Sequence, residues 1–137
     1  MKILKSLLVC LLVSFSIQNL TAQVYRFKAT SYSIAEKDAN GKWGEWSEFK
    51  ESTVVITLDG NKDRVIVGSK ELQLFTIDTY GKNVTTEDDD TVPLNCTDNG
   101  GGACTILIIT RKKQNNRKQF YINYADVKFV YNVYSWD

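Results

Sequence analysis

The chain contains no histidine, and this absence limits its possible chemistry more than any other feature of its composition. Without histidine, Ser-His-Asp and Cys-His catalysis are excluded, together with the usual imidazole ligands of zinc and haem. A pair of carboxylates, as in glycosidases, stays formally possible. The acidic residues, however, cluster in predicted turns, and a domain of this size rarely builds a deep catalytic cleft. We therefore expect a protein that is not an enzyme, has no catalytic residues and uses no metal and no cofactor.

The three cysteines fall into two groups. Cys10 lies in an apolar N-terminal run, whereas Cys96 and Cys104 flank a glycine-rich stretch. An even pair of cysteines in a small chain indicates a disulfide when the compartment is oxidising. A redox or metal pair would have a closer spacing and further ligands nearby. We expect a disulfide between Cys96 and Cys104 that locks a hairpin and contributes about 2–3 kcal/mol.

Two acidic stretches place oxygen ligands close together. Residues 59–63 have the spacing that begins a calcium loop, but the later glycine and glutamate of such a loop are absent. Residues 87–90 are consecutive acidic residues and could gather a calcium ion weakly. A hairpin turn at the first stretch and a solvated run of charge at the second are the preferred interpretations, and calcium binding at residues 87–90 stays open.

Aromatic side chains are the remaining candidates for a binding site, because they can fill a core, line an apolar cavity or stack on sugar faces. Trp43 and Trp46 are three positions apart, so on a strand they face opposite sides. This spacing predicts one buried and one exposed indole. The candidate ligand-binding residues are Trp43, Trp46, Tyr32 and Tyr131.

The first 22 residues have the composition of a secretory signal peptide. Lys2 and Lys5 form a basic start, an apolar run follows, and Ala22 places a small residue before Gln23. The longest apolar run, about 11 residues, is too short to cross a bilayer, which needs roughly 20. Because a bulky valine precedes Cys10, lipidation is not expected. We predict a signal peptide over residues 1–22, a single β domain over residues 23–137, and a secreted or periplasmic protein that is not a lipoprotein and has no stable membrane anchor.

The mature chain is close to neutral. Removal of Lys2 and Lys5 changes the formal net charge from +1 to −1, since 15 basic residues then stand against 16 acidic ones. This balance gives no attraction to nucleic acid or to an anionic membrane. Five basic residues fall within 111–118; contact with an anionic polymer is one interpretation, and a soluble turn whose charges discourage edge aggregation is the preferred one.

Short alternating segments separated by turn signals indicate β-structure throughout the mature chain. About eight strands are expected, and the first changes phase near Thr30 or Ser31, which predicts a bulge. Turns are expected at 38–41, at 59–63 and around Asn115-Asn116. This pattern predicts a small antiparallel up-and-down β-barrel, closed or half-open, because closure removes exposed strand edges. A β-sandwich is the alternative, weakened because Cys96 and Cys104 are too close to join two sheets.

Gly41-Lys42-Trp43 resembles the Gly-x-Trp signature near the start of lipocalins, and the expected strand count and secretion signal are similar to that family. The resemblance covers three residues and the general architecture, and it implies a barrel with an apolar cavity for a small ligand. The chain departs from lipocalins in having a full strand before the motif and a shorter length. The tryptophan pair and the Tyr-Asn-Val-Tyr ending at residues 131–134 also resemble small secreted bacterial all-β proteins without known activity. Neither resemblance transfers a site residue.

These observations favour a secreted, non-catalytic binding protein. One hypothesis is a small apolar ligand held inside the barrel. The other is a surface module that binds a glycan or a protein through exposed aromatics. No nucleic-acid partner is expected, while the identity of the ligand and the oligomeric state are left open.

Overall fold

Ten β-strands and no helix occur in residues 23–136, the part of the chain that the computed structural model describes. The predicted signal peptide, residues 1–22, lies outside the described residues. The strands are β1 (Val24–Glu36), β2 (Lys50–Glu51), β3 (Val55–Asp59), β4 (Arg64–Gly68), β5 (Leu72–Tyr80), β6 (Val84–Thr85), β7 (Asp89–Asp98), β8 (Ala103–Arg111), β9 (Arg117–Asn123) and β10 (Val127–Ser135).

Eight of these strands close into an antiparallel barrel. The order is β1-β3-β4-β5-β7-β8-β9-β10, and β10 pairs back onto β1 over Phe27 to Glu36. The short strands β2 and β6 pair with β1 and β7 outside this cycle. Neighbours along the barrel are neighbours in sequence, so the predicted all-β up-and-down barrel is confirmed and the alternative sandwich is wrong. Because the sheet is closed, each of the eight barrel strands pairs with a neighbouring strand on both sides.

Alternate residues of each barrel strand face inward, as the period of two of a strand requires. The inward positions of the central strands carry large apolar side chains, and these make one buried cluster at the waist of the barrel. Its largest members are Phe75, Phe120, Ile56, Leu94, Ile106, Val65 and Val67, each no more than 2% exposed. The rings of Phe27 and Phe120 meet across this waist with centroids 5.0 Å apart.

A bulge in β1 changes which side chains face inward. The register against β10 shifts between Ala29 and Ser31, which confirms the predicted bulge near Thr30. Before the shift, Phe27 and Ala29 belong to the core cluster. After it, Ser33 is fully buried on the other side of the strand, where its hydroxyl donates to the carbonyl of Ser47 (2.6 Å).

Turn residues adopt the conformations that the sequence predicts. Asn115 and Asn116 have φ of 56° and 57° in the β8–β9 hairpin, and Gly41 has φ of 79° in the turn after β1. In the β7–β8 turn, the Asp98 carboxylate accepts from the backbone N–H groups of Gly100 (3.0 Å) and Gly102 (2.7 Å). This hairpin is therefore fixed by turn chemistry.

The predicted disulfide is wrong, because the structure holds Cys96 and Cys104 as free thiols. The two residues lie directly opposite each other on β7 and β8, and they are 2% and 7% exposed within the core cluster. Burial raises the pKa of Cys96 to about 12 and that of Cys104 to about 11. Both side chains therefore pack as small apolar groups, and the hairpin is held by its ladder and by Asp98.

Candidate functional site

A large cavity with apolar walls lies at the barrel end where β1 begins and where β3, β5 and β10 finish. Its volume is about 700 Å³, and it is open to solvent on one side. We call it the mouth pocket. Its apolar lining comes from six inward positions on four strands: Tyr25, Phe27, Leu58, Val92, Leu94 and Ile108.

The packed waist forms the floor of the mouth pocket. Phe27 and Leu94 line the pocket and are 6% and 1% exposed, so the cavity stops at the core cluster and does not run through the barrel. A smaller cavity of about 280 Å³ lies at the opposite end, beside Tyr124 and Phe129. Close-packed side chains at the waist separate these two end cavities.

The polar groups of the mouth pocket stand on its upper wall and rim: Tyr80, Lys82, Asn83, Lys118 and Ser135. Tyr80 is fixed because its hydroxyl donates to Asp63 Oδ1 at 2.7 Å. Burial, followed by this hydrogen bond, raises the pKa of Tyr80 to about 12. The phenol is therefore a neutral, oriented group at neutral pH.

A tight contact shapes one edge of the pocket. The N–H of Gly81 donates to the carbonyl of Pro93 at 2.8 Å. A Cβ at position 81 would lie 2.7 Å from Pro93 Cγ, which is closer than two carbon atoms can approach. Glycine at this position therefore lets the chain leave β5 directly against β7.

The four predicted ligand-binding residues do not form one site. Tyr32 and Tyr131 pair across β1 and β10 with ring centroids 6.0 Å apart, and Tyr131 packs against the core cluster. Trp43 and Trp46 lie on the outer surface instead. Burial, followed by the charge of the neighbouring Tyr32, raises the pKa of Tyr131. None of the four lines the mouth pocket.

The expected pair of one buried and one exposed indole is met only in part, because Trp46 is exposed but Trp43 is not buried. Trp43 is half-buried and its ring lies 4.2 Å from Lys128 Nζ and 5.0 Å from Lys37 Nζ. These cation–π contacts hold it in place. Trp46 is 44% exposed and meets Tyr121 edge to face at 6.0 Å. The segment between them pairs with β1 only irregularly, so strand parity does not govern it.

A connected polar network covers the outer face of β8, β9 and β10 beside Trp46. Arg111 donates to Asp89 Oδ2 (2.9 Å), to Gln119 Oε1 (3.0 Å) and to the Tyr121 hydroxyl (3.2 Å). Gln119 in turn donates to Asn132 Oδ1 at 2.8 Å. Gln119 is only 4% exposed, so its amide is an ordered, nearly dry group.

The acidic run at residues 87–90 and the basic hairpin at residues 111–118 contact each other. Lys112 pairs with Asp90 (3.1 Å), and Lys113 pairs with Asp88 (2.8 Å). With the Arg111–Asp89 pair, these contacts neutralise charges of both segments. In residues 23–136 no cluster of three or more acidic or thiol side chains could hold a metal ion.

Sequence reasoning missed the mouth pocket and the outer network. The pocket wall joins Tyr25 of β1, Leu58 of β3 and Val92 of β7, and only barrel closure brings these positions to one end. Lys118 was counted with the basic turn, although the parity of Phe120 and Ile122 places it on the inner face.

Comparisons of the chain with protein-family models, with curated proteins and with solved structures find no significant match. The described residues include no helix that is long and apolar enough to cross a membrane. The class that the structure defines is an eight-stranded up-and-down antiparallel β-barrel.

Proposed function

We propose that this protein is a secreted or periplasmic, non-catalytic binding protein that holds a small apolar ligand in the mouth pocket. The observation that supports this proposal is the cavity of about 700 Å³ with six apolar side chains along its walls. Small-molecule sites are typically concave, mostly apolar and about 300–1,000 Å³ in volume. The few polar groups, among them Tyr80, would orient the ligand.

The size and position of the pocket limit the ligand. Because the waist is filled, a ligand would enter from the open end and rest on Phe27 and Leu94. A long molecule threaded through the barrel does not fit this arrangement. The barrel supplies a rigid wall, since each lining strand pairs on both sides.

Native mass spectrometry of protein purified from its source tests this function. We expect a co-purified small molecule that is lost on denaturation. In parallel, the neutral fluorophore N-phenyl-1-naphthylamine should bind the ligand-free protein with saturable enhanced emission. Absence of both a bound molecule and saturable fluorophore binding would contradict the proposal.

A second candidate function is recognition of a glycan on the outer face. It is favoured by the half-exposed Trp46 beside Tyr121 and by the partly exposed planar side chains of Arg111 and Asn132 in the same network. An exposed aromatic next to planar hydrogen-bonding groups is suited to a sugar ring. Titration with glycans while tryptophan emission is recorded tests it. A Trp46→Ala variant that binds the same glycans equally well would exclude this site.

The proposed compartment rests on the N-terminal pattern alone. We expect the mature protein to begin at Gln23 and to be recovered outside the cytoplasm. Intact mass after expression in a secreting host measures this directly, and retention of residues 1–22 would contradict it.

A further inference from the structure

The charged side chains that line the mouth pocket are all basic. Lys82 and Lys118 contribute to its wall, and within residues 23–136 no aspartate or glutamate does. The whole chain, by contrast, has nearly equal numbers of acidic and basic residues. The charges on the lining side chains are therefore positive, with the Asp63 carboxylate behind them against Tyr80, and they favour an anionic ligand group.

Lys118 is the better placed of the two cations. It lies two residues before Phe120 on the inner face of β9, and its side chain is half-buried. Its Nζ donates to Thr110 Oγ1 at 3.0 Å, which orients the ammonium group. An ammonium group has three donors, so further donors are available to a ligand. In the described part of the chain Lys118 forms no ion pair.

Asp90 is an acidic residue near Lys118, and the charge of Lys118 contributes to the lowered pKa of its carboxylate. Its pKa is lowered chiefly by a hydrogen bond from Lys112, and Lys118 adds a smaller attraction. Lys112 Nζ lies 3.1 Å from Asp90 Oδ1. Asp90 is thus already paired, and it does not line the mouth pocket.

We propose that the mouth pocket takes an amphipathic carboxylic acid, with its apolar body against Phe27 and Leu94 and its carboxylate hydrogen-bonded to Lys118. Lys82, at the exposed rim, adds positive potential at the entrance. This inference rests on the proposed function and adds the charge of the ligand to it. It requires no covalent step and no further component.

The test compares cis-parinaric acid with its methyl ester, two fluorescent probes with the same apolar body and different headgroups. The acid should bind the mature protein about 10-fold more tightly than the ester, because only the acid forms a charge-assisted hydrogen bond. The Lys118→Met variant should lose about 10-fold in affinity for the acid and keep its affinity for the ester. Unchanged ester binding also shows that the variant is folded.

A matched control is Lys62→Met, which removes one positive charge from an exposed turn at the same barrel end but outside the pocket. Its affinity for the acid should stay within about 2-fold of the wild type, since exposed charges are screened. Equal affinity of the wild type for acid and ester, or equal losses in both variants, would overturn the inference while leaving the proposed function. Failure of both probes to bind would count against the proposed function itself.

Discussion

Phe27 and Phe120 meet at the waist of the barrel with ring centroids 5.0 Å apart and an interplanar angle of 58°. This contact joins the first strand of the chain to the ninth and closes the floor of the mouth pocket. It depends on barrel closure, because the two residues are far apart in sequence. The same contact therefore supports the fold and sets the depth of the cavity.

Replacement of Phe120 should be strongly destabilising. Phe120 is fully buried, and Phe→Ala in a core costs about 3–5 kcal/mol through lost burial and the cavity left behind. Urea unfolding of Phe120→Ala measures the loss. The control is Phe49→Ala, at a position 52% exposed, where a change of about 0.5 kcal/mol or less is expected. Similar losses in both variants would contradict the described core.

The Asp98 carboxylate should make stability depend on pH at the β7–β8 turn. Its pKa is lowered, first by the hydrogen bond from the Gly102 N–H and then by the Tyr124 hydroxyl. Tyr124 Oη donates to Asp98 Oδ2 at 2.8 Å. A lowered folded-state pKa gives stability that is present above the unfolded pKa, about 3.9, and is lost as pH falls through the folded value.

The Asp98→Asn variant tests this linkage by urea unfolding at neutral and at acidic pH. It should be less stable than the wild type at neutral pH, and the difference should shrink as the wild-type carboxylate becomes protonated. Glu71→Gln removes an exposed negative charge from the same barrel end and should show no such difference. A constant gap between Asp98→Asn and wild type at all pH values would refute the assignment.

The free thiols should be inert in the folded protein. Burial raises the pKa of Cys96 to about 12 and that of Cys104 to about 11, so thiolate, the reactive form, is scarce at neutral pH. Iodoacetamide should label neither residue in the native protein and both after unfolding without a reductant. Peptide mass mapping distinguishes the two sites. Labelling that requires a reductant would reveal a bond that the structure does not contain.

The architecture was predictable because inward alternation is a local property of each strand. Strand positions, the bulge near Thr30 and the turn at Asn115 and Asn116 all follow from period-two patterns and turn residues. The register shift of β5 against β7 lies between Ile77 and Thr79, where turn residues and alternation give no signal. Leu72 is 66% exposed, and an apolar residue on the outer face of a strand obscures the alternation of apolar and polar residues.

The candidate site was less predictable, for two physical reasons. The mouth pocket joins positions from both ends of the sequence, and only the pairing of β1 with β10 makes them neighbours. The disulfide was inferred from the expected compartment, although two facing cysteines in a strand pair can equally pack as apolar groups. Trp43 and Trp46 lie in an irregular segment, where the alternation of a strand does not indicate which way a side chain points.

The close approach of Gly81 to Pro93 should make this glycine hard to replace. In Gly81→Ala the new Cβ would lie 2.7 Å from Pro93 Cγ and 3.1 Å from the Pro93 oxygen, so β5 and β7 must separate locally. We expect a loss of about 1–3 kcal/mol, typical of overpacking, measured by urea unfolding. Gly100→Ala is the control, since its Cβ would lie 3.5 Å from Asp98 Oδ1, an ordinary contact distance. Equal stability of the two variants would contradict the described geometry.

Partial filling of the mouth pocket should weaken binding without unfolding the barrel. Leu58 lines the pocket from β3 and is only half-buried, so the larger indole of Leu58→Trp can extend into the cavity. Affinity for N-phenyl-1-naphthylamine should fall by about 10-fold, a loss of roughly 1.4 kcal/mol. The matched variant Leu72→Trp adds the same volume at an exposed position on the opposite barrel end and should bind like the wild type. Equal affinities of the two variants would move the binding site away from the mouth pocket, because only Leu58 contributes to its wall.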